Sequence, residues 1–238
     1  SLEEKIGKMV VEDIKDEWPP CEDKEAAKYL DLLAQRLLSH HEGEKETLKF
    51  HLFQTPTQNA FALPGSNVVV LSGFLKNAES EEEIAGVLSH EIGHIVSRDP
   101  LKFVIQEQGL GMISSLASSG PGAYGDVAGV ATTLSSLSYS REKELAADKF
   151  AKDLLVKSGY TTKGLISFLS RREQAFPEIM RPLEENLSFL STHPKTSERI
   201  EFLKQGNAAA KKSPPSLSAG QIKRLQSACP NHSPYETN

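Results

Sequence analysis

One short segment constrains this chain more than any other, because it places two histidines four residues apart on a predicted helix. Ser80 and Glu83 form the side-chain pair of a capping box, and apolar residues recur at helical spacing after them. Inside this helix the sequence reads HEIGH from His90 to His94. Residues four apart share a helix face, so both imidazoles can reach one ion, and Glu91 lies close enough to bind its water. The pattern predicts a zinc site.

A catalytic zinc ion needs a third protein ligand and an open position for water. The predicted helix Arg141–Lys157 offers Glu144, with Asp148 one turn later. One carboxylate on this face can bind the metal while the other orients the N–H of a ligand histidine. A solvated, charged turn is the alternative interpretation of these acidic residues, and the upstream histidines disfavour it. We therefore expect His90, His94 and Glu144 to hold one Zn²⁺ per chain.

The remaining apolar spacing predicts a mostly helical domain with a small sheet. Helices are predicted over residues 1–16, 24–41, 80–99, 141–157, 161–176 and 197–204. Between residues 48 and 75, short apolar runs interrupted by a Pro64-Gly65 turn predict β-strands instead. The fold class predicted from these patterns is α+β.

Composition limits the size of the domain and the classes of partner. The chain has 238 residues with 27 basic and 32 acidic side chains, a formal net charge of −5. This length allows one domain of ordinary size. Nucleic-acid binding is excluded because no run of basic residues is longer than two. The two cysteines, Cys21 and Cys229, are too few for a cysteine-based zinc module, and both a disulfide and two free thiols remain open.

Two segments stand apart from the predicted domain core. Gly109 to Ser140 is rich in Gly, Ser and Ala, with Asp126 its only charged residue. We expect closely packed helices there, with a membrane-surface role as the alternative, since glycine and proline break the stretch too often for a transmembrane helix. Residues 206–220 are dominated by Ala, Lys, Ser and Pro, which predicts a flexible linker. The predicted division is a domain over residues 1–205 and a linker with a short tail over 206–238.

Four segments in this order resemble the gluzincin metallopeptidases of family 48. They are Asn59–Gly65, similar to the family's edge strand and turn, the zinc helix His90–His94, the third-ligand motif Ser140–Asp148, and Ser191–Pro194 followed by Arg199. The similarity covers roughly residues 6–203. The family includes HtpX-like, BepA-like and Oma-type proteases, and this chain resembles its soluble branch.

This resemblance implies a zincin domain whose edge strand borders the active-site cleft, and it implies a role for each motif residue. Glu91 acts as the general base toward water. His193 lies over the site, where it either donates to the developing oxyanion or fills the open zinc position of a latent resting enzyme. Asp148 orients a ligand histidine or serves as a proton donor. Arg199 anchors the His193 loop or contacts substrate.

The predicted function is a zinc-dependent metalloendopeptidase that cleaves extended or unfolded protein segments. The strand containing Asn59, Ala60, Phe61 and Ala62 would bind the substrate through main-chain hydrogen bonds, which select little for side chains. The resemblance implies a role in protein quality control in the periplasm or cell envelope, with a lipid-anchored precursor suggested by a chain that begins at Ser1 without methionine. Cytoplasmic residence is the alternative.

Two other classes of function remain as alternatives. The first is a zinc-dependent, chaperone-like module that binds unfolded clients without cutting them. Retention of Glu91 argues against it. The second is a scaffold in peripheral contact with a membrane through Gly109 to Ser140, which has few large apolar residues and no basic flank. The sequence carries no signal for the oligomeric state.

Overall fold

The computed structural model describes residues 1–39, 41, 47–106, 109, 138–175, 189–194, 197–205 and 217–229. The strands are β1 (Lys49–Phe53), β2 (Ala60–Leu63) and β3 (Asn67–Leu71). The labelled helices are α1 (Leu2–Glu17), α2 (Lys24–Leu38), α3 (Ser72–Asn77), α4 (Glu81–Val96), α5 (Arg141–Lys157), α6 (Lys163–Ala175), α7 (Phe189–Thr192), α8 (Ser197–Lys204) and α9 (Ala219–Gln226). Residues 99–106 are also helical.

The three strands form one sheet in the order β1-β3-β2. β1 runs parallel to β3 and β2 runs antiparallel to it, so β2 forms one edge. Successive side chains of a strand point to opposite faces. In β3, Val68 and Val70 enter the core shared with α2, α4 and α5, while Val69 and Leu71 enter the core shared with α1. Helices therefore cover both faces of the sheet, and the predicted α+β class is confirmed.

Helix α1 rests directly on the turn between β2 and β3. Its apolar stripe includes Ile6, Val10 and Ile14, each 0% exposed. A Cβ atom placed on Gly7 would lie 1.9 Å from the carbonyl oxygen of Pro64, so only glycine permits this approach. The close contact fixes the position of the turn that leads out of β2.

Helix α4 runs through the centre of the domain between β2, α5 and α6. Half of the predicted capping box is present, since the Ser80 side chain accepts the N–H of Glu83. The Glu83 carboxylate instead accepts the N–H of Glu79 and pairs with Arg171. The helix ends at Val96, in agreement with the predicted end before Pro100.

The C-terminal residues pack against the start of the chain. Cys21 and Cys229 form a disulfide with a Cα–Cα distance of 5.5 Å, which resolves the open question about the cysteines. Arg224 of α9 forms an ion pair with Asp23 at the start of α2. Leu225 is 5% exposed and packs in the core that contains residues of α2, α4 and α5. Residues 206–216 of the predicted linker over 206–220 lie outside the described residues, while residues 219 and 220 begin α9, and the division at residue 205 stays a prediction.

The predicted membrane-surface stretch is mostly outside the described part of the chain, which includes only residue 109 and residues 138–140 of it. Among the helices that the structure describes, none combines the length and hydropathy needed to cross a membrane.

Candidate metal centre

The face of α4 that carries the motif is enclosed by α5. His90 and His94 are both 0% exposed. Gly93 lies against the second helix, because a Cβ atom on it would be 3.1 Å from Cα of Ala147. Ala147 makes this contact, whereas the neighbouring Ala146 is exposed. Two small residues facing each other thus bring the acidic turn of α5 up to the two histidines.

Four side chains direct nitrogen or oxygen atoms toward one point, and these atoms lie within 4.8 Å of one another. The Nε2 atoms of His90 and His94 are 3.2 Å apart, and Oε1 of Glu144 is 3.3 Å from Nε2 of His94. Nδ1 of His193 lies 2.9 Å from the same Glu144 oxygen and 3.2 Å from Nε2 of His90. Ligands at zinc bond lengths in a tetrahedron are about 3.4 Å apart. The cluster therefore has the dimensions of a four-ligand metal site.

A carboxylate oxygen lies about 3 Å from the outward nitrogen of each α4 histidine. Nδ1 of His90 lies 2.9 Å from Oδ1 of Asp148, and Nδ1 of His94 lies 3.0 Å from Oδ2 of Asp99. A carboxylate at Nδ1 fixes the tautomer and leaves Nε2 free to bind a metal. The sequence interpretation missed Asp99, although its Asp-Pro pair is a typical helix start and lies five residues after His94.

Arg199 is fully buried beneath the cluster. Its Nε and Nη2 atoms bind the two carboxylate oxygens of Asp148, at 2.6 and 2.9 Å. Nη1 pairs with Glu144 and donates to the carbonyl oxygen of Pro194 at 2.8 Å. One guanidinium thus joins the acidic face of α5 to the segment that carries His193. These contacts suit the predicted anchoring role, and the predicted contact with substrate stays a prediction.

Burial and neighbouring charges shift the pKa values of the site residues in opposite directions. Burial alone lowers the pKa of His90, but Glu144 and Asp148 outweigh it and raise that pKa to about 9. Burial raises the pKa of Glu144, yet the nearby histidines hold it well below its usual value. For His193, burial dominates and lowers the pKa despite two carboxylates. The metal-free site therefore favours an ionised Glu144 and a neutral His193.

Glu91 lies between the edge strand and His193. Its Oε2 atom accepts the N–H of Ala62 at 2.9 Å, and its Oε1 atom is 3.3 Å from Nε2 of His193. The predicted substrate strand thus borders the candidate base. Asn59 and Ala60 are 0% exposed, and Phe61 and Ala62 are each 3% exposed. In this conformation the strand is covered.

Two aromatic residues that the sequence interpretation did not single out flank the imidazoles. The ring of Tyr139 stacks on His94, and the ring of Phe189 stacks on His193. Tyr139 directly precedes Ser140, the N-cap of α5. Its position next to the third-ligand motif is the signal in the sequence that could have drawn attention to it.

The sequence around this site matches a known family. A family model described as Peptidase family M48 matches residues 24–206. The chain belongs to peptidase family M48. The predicted family and the predicted enzyme class, a metallopeptidase, are therefore confirmed.

Several curated proteins are similar to this chain. The beta-barrel assembly-enhancing protease of Yersinia pestis is 26% identical over 206 residues, covering 82% of this chain and 42% of the relative. The mitochondrial metalloendopeptidase OMA1 of Schizosaccharomyces pombe is 27% identical, covering 76% of this chain and 50% of the relative. The metalloprotease YcaL of Escherichia coli (strain K12) is 30% identical, covering 69% and 64%. The chain thus spans less than half the length of the Yersinia relative.

Proposed function

We propose that this protein is a zinc-dependent metalloendopeptidase that hydrolyses peptide bonds in extended or unfolded protein segments. The observation that carries the proposal is the convergence of His90, His94 and Glu144 on one point, with Glu91 beside it and the edge strand next to Glu91. Two imidazoles and one carboxylate are a donor set typical of catalytic zinc. When bound, zinc supplies a Lewis acid that acidifies a water molecule and polarises the scissile carbonyl.

Glu91 is the proposed general base. The hydrogen bond from Ala62 fixes one carboxylate oxygen and leaves Oε1 directed toward the cluster. This oxygen takes a proton from the attacking water and passes it to the leaving amine. Asp148 is assigned to orienting His90, because its oxygens are held by His90 and Arg199 at hydrogen-bond distance. Because both oxygens of Asp148 already have these partners, we do not assign it the alternative role of proton donor.

His193 is assigned two roles in two states. In the resting state, Nδ1 lies 3.2 Å from Nε2 of His90 and Nε2 lies 3.3 Å from Oε1 of Glu91, so the ring would provide a fourth ligand to a bound metal and fill the space beside the base. This arrangement supports latency. When the segment moves, the same imidazole can donate to the oxygen that gains negative charge during attack.

The proposed substrate site is the outer edge of β2. In the antiparallel pair of β2 and β3, Phe61 lies opposite Val69 and Leu63 lies opposite Asn67. The N–H of Ala62, which lies between them on β2, points away from β3 and donates to Glu91. An extended peptide can add to such an edge through main-chain hydrogen bonds. Because the strand is covered here, we propose that the His193 segment must move before substrate binds.

A role in envelope protein quality control is the finer proposal. It rests on the similarity to beta-barrel assembly-enhancing proteases and on the backbone mode of recognition, which favours unfolded chains. We accordingly propose residence in the periplasm or cell envelope.

Casein cleavage and metal content of the same preparations test the function. We expect a chelator to abolish cleavage and zinc to restore it. Glu91→Gln should retain zinc but lose about 10²–10⁴-fold in rate, the usual contribution of a general base. Glu142→Gln is the matched control, because Glu142 is exposed on the same helix as Glu144. Equal cleavage by the parent and Glu91→Gln proteins would refute the assignment. Client binding with no cleavage by the parent or by His193→Ala, in which the proposed resting block is removed, would favour the chaperone-like alternative.

A further inference from the structure

Tyr139 lies flat against one ligand histidine. Its ring centroid is 4.0 Å from that of His94, with only 14° between the two planes. The side chain is 8% exposed and belongs to the core that α1 and β2 share. Its backbone N–H donates to the carbonyl oxygen of Thr192, which directly precedes His193. Tyr139 therefore contacts both the zinc helix and the segment that covers it.

A hydrogen bond at Nδ1 restrains an imidazole incompletely. The hydrogen bond between Nδ1 of His94 and Asp99 fixes the tautomer and holds that side of the imidazole in place. The ring can still rotate about the line that joins Nδ1 to the carboxylate. The metal-binding lone pair of Nε2 lies in the ring plane, so a tilt moves it off the metal. A flat neighbour on the ring face opposes this tilt. Tyr139 is in that position.

The other α4 histidine has different neighbours. The rings of His94 and His193 meet His90 nearly edge-on, at 84° and 82°. The Phe189 ring is also tilted, at 60° and 6.2 Å. Among the described residues, Tyr139 is the aromatic side chain that stacks in parallel on an α4 histidine. A substitution at this position therefore acts on His94, and on His193, whose ring lies 5.5 Å from that of Tyr139, but leaves the surroundings of His90 in place.

We propose that Tyr139 is a positioning residue that raises metal affinity by preventing the His94 ring from tilting, so that the lone pair of Nε2 stays directed toward the centre of the cluster. The inference rests on the proposed zinc site. A metal-bound imidazole is more electron-poor than a free one, and it is attracted more strongly to the face of an aromatic ring. An interaction that is stronger in the metal-bound state increases affinity by that difference.

The test compares zinc affinity by chelator competition in three side-chain variants. We expect Tyr139→Leu to weaken zinc binding about tenfold or more, as is usual when support of a metal ligand is lost. Tyr139→Phe retains the ring and should stay within about twofold of the parent. Tyr139→Met fills a similar volume without an aromatic face, and it provides the comparison if the leucine variant does not fold. Spectra of the Co²⁺-loaded proteins should change for Leu and Met but not for Phe.

Tyr160→Leu is the matched control. Tyr160 is 1% exposed, and its hydroxyl binds Glu81 at the far end of α4, so the variant removes a buried ring without touching His94. Unchanged zinc affinity in both Tyr139→Leu and Tyr139→Met would overturn the proposal. So would an equal loss in Tyr160→Leu, or a loss in Tyr139→Phe as large as in Tyr139→Leu. A parent protein that binds no zinc would instead refute the proposed function.

Discussion

The carboxylate of Asp99 lies 3.0 Å from Nδ1 of His94, although the two residues belong to different helices. A turn at Arg98, with φ of 53°, separates α4 from the helical residues 99–106 and returns Asp99 to α4. His94 and the carboxylate at its Nδ1 atom are thus held by one turn of the chain.

Asp99→Ala should weaken zinc binding by about 10- to 100-fold, because His94 loses the group that fixes its tautomer. Asp99→Asn keeps an acceptor and should lose less. Metal competition assays with the purified variants measure the effect. Asp153→Ala is the control, since Asp153 is an exposed residue of α5 that pairs with Lys157. Equal zinc affinity in the Asp99→Ala and control proteins would show that Asp99 does not support the site.

His193→Ala should lower the KM for casein, because the resting ring no longer blocks the site, and should lower kcat, because the proposed oxyanion donor is lost. The ring now lies among the ligand atoms and beside Glu91, so its removal frees both positions. Cleavage rates and Co²⁺ spectra should change together, since one coordinating nitrogen is lost. A lower rate with an unchanged Co²⁺ spectrum would contradict the resting-state role and favour the role as oxyanion donor.

Zinc affinity should rise with pH between about 7 and 9. Glu144 and Asp148 outweigh burial and keep the pKa of metal-free His90 at about 9, so His90 holds a proton at neutral pH. Zinc binds the neutral imidazole and must displace this proton, which changes the observed affinity about tenfold per pH unit for each proton released. Calorimetry in buffers of different protonation enthalpy counts the protons.

Asp148→Asn provides the comparison for this titration. It removes one carboxylate beside His90, lowers the pKa of that imidazole and should flatten the dependence on pH. A zinc affinity that is independent of pH in the parent would contradict the charge assignment at His90.

Loss of the Cys21–Cys229 disulfide should destabilise the protein. The bond joins residues 208 positions apart, and restricting the unfolded chain over such a loop contributes about 5 kcal/mol in the chain-entropy model. Denaturant unfolding of the parent with and without a phosphine reductant measures the change. The Cys21→Ser/Cys229→Ser double variant should match the reduced parent and show no response to reductant. Equal stability of the oxidised and reduced parent would count against this prediction.

The parts of the site that follow local periodicity could be predicted from the sequence. His90 and His94 share a face, as do Glu144 and Asp148, because helical spacing alone decides this. The sheet was predictable as a region, but its order with β3 in the centre depends on a parallel pairing that local patterns do not specify.

The residues that were missed reach the site through tertiary structure. Asp99 does so through the turn at Arg98, and Tyr139 through the packing of the segment before α5. The complete burial of Arg199 was equally hidden, since a lone arginine in a sequence is usually exposed. Its position is explained by the carboxylates of Glu144 and Asp148, which pair with it. The pairing of the cysteines had no local signal.

The Cys21–Cys229 disulfide would also hide self-digestion of this protein on a non-reducing gel. A single cut anywhere between these positions leaves both fragments in one covalent molecule. Electrophoresis without reductant would then show an intact band, and the nick would be visible only after reduction. Preparations that look homogeneous on a non-reducing gel therefore need a reduced lane before their purity or specific activity is assigned.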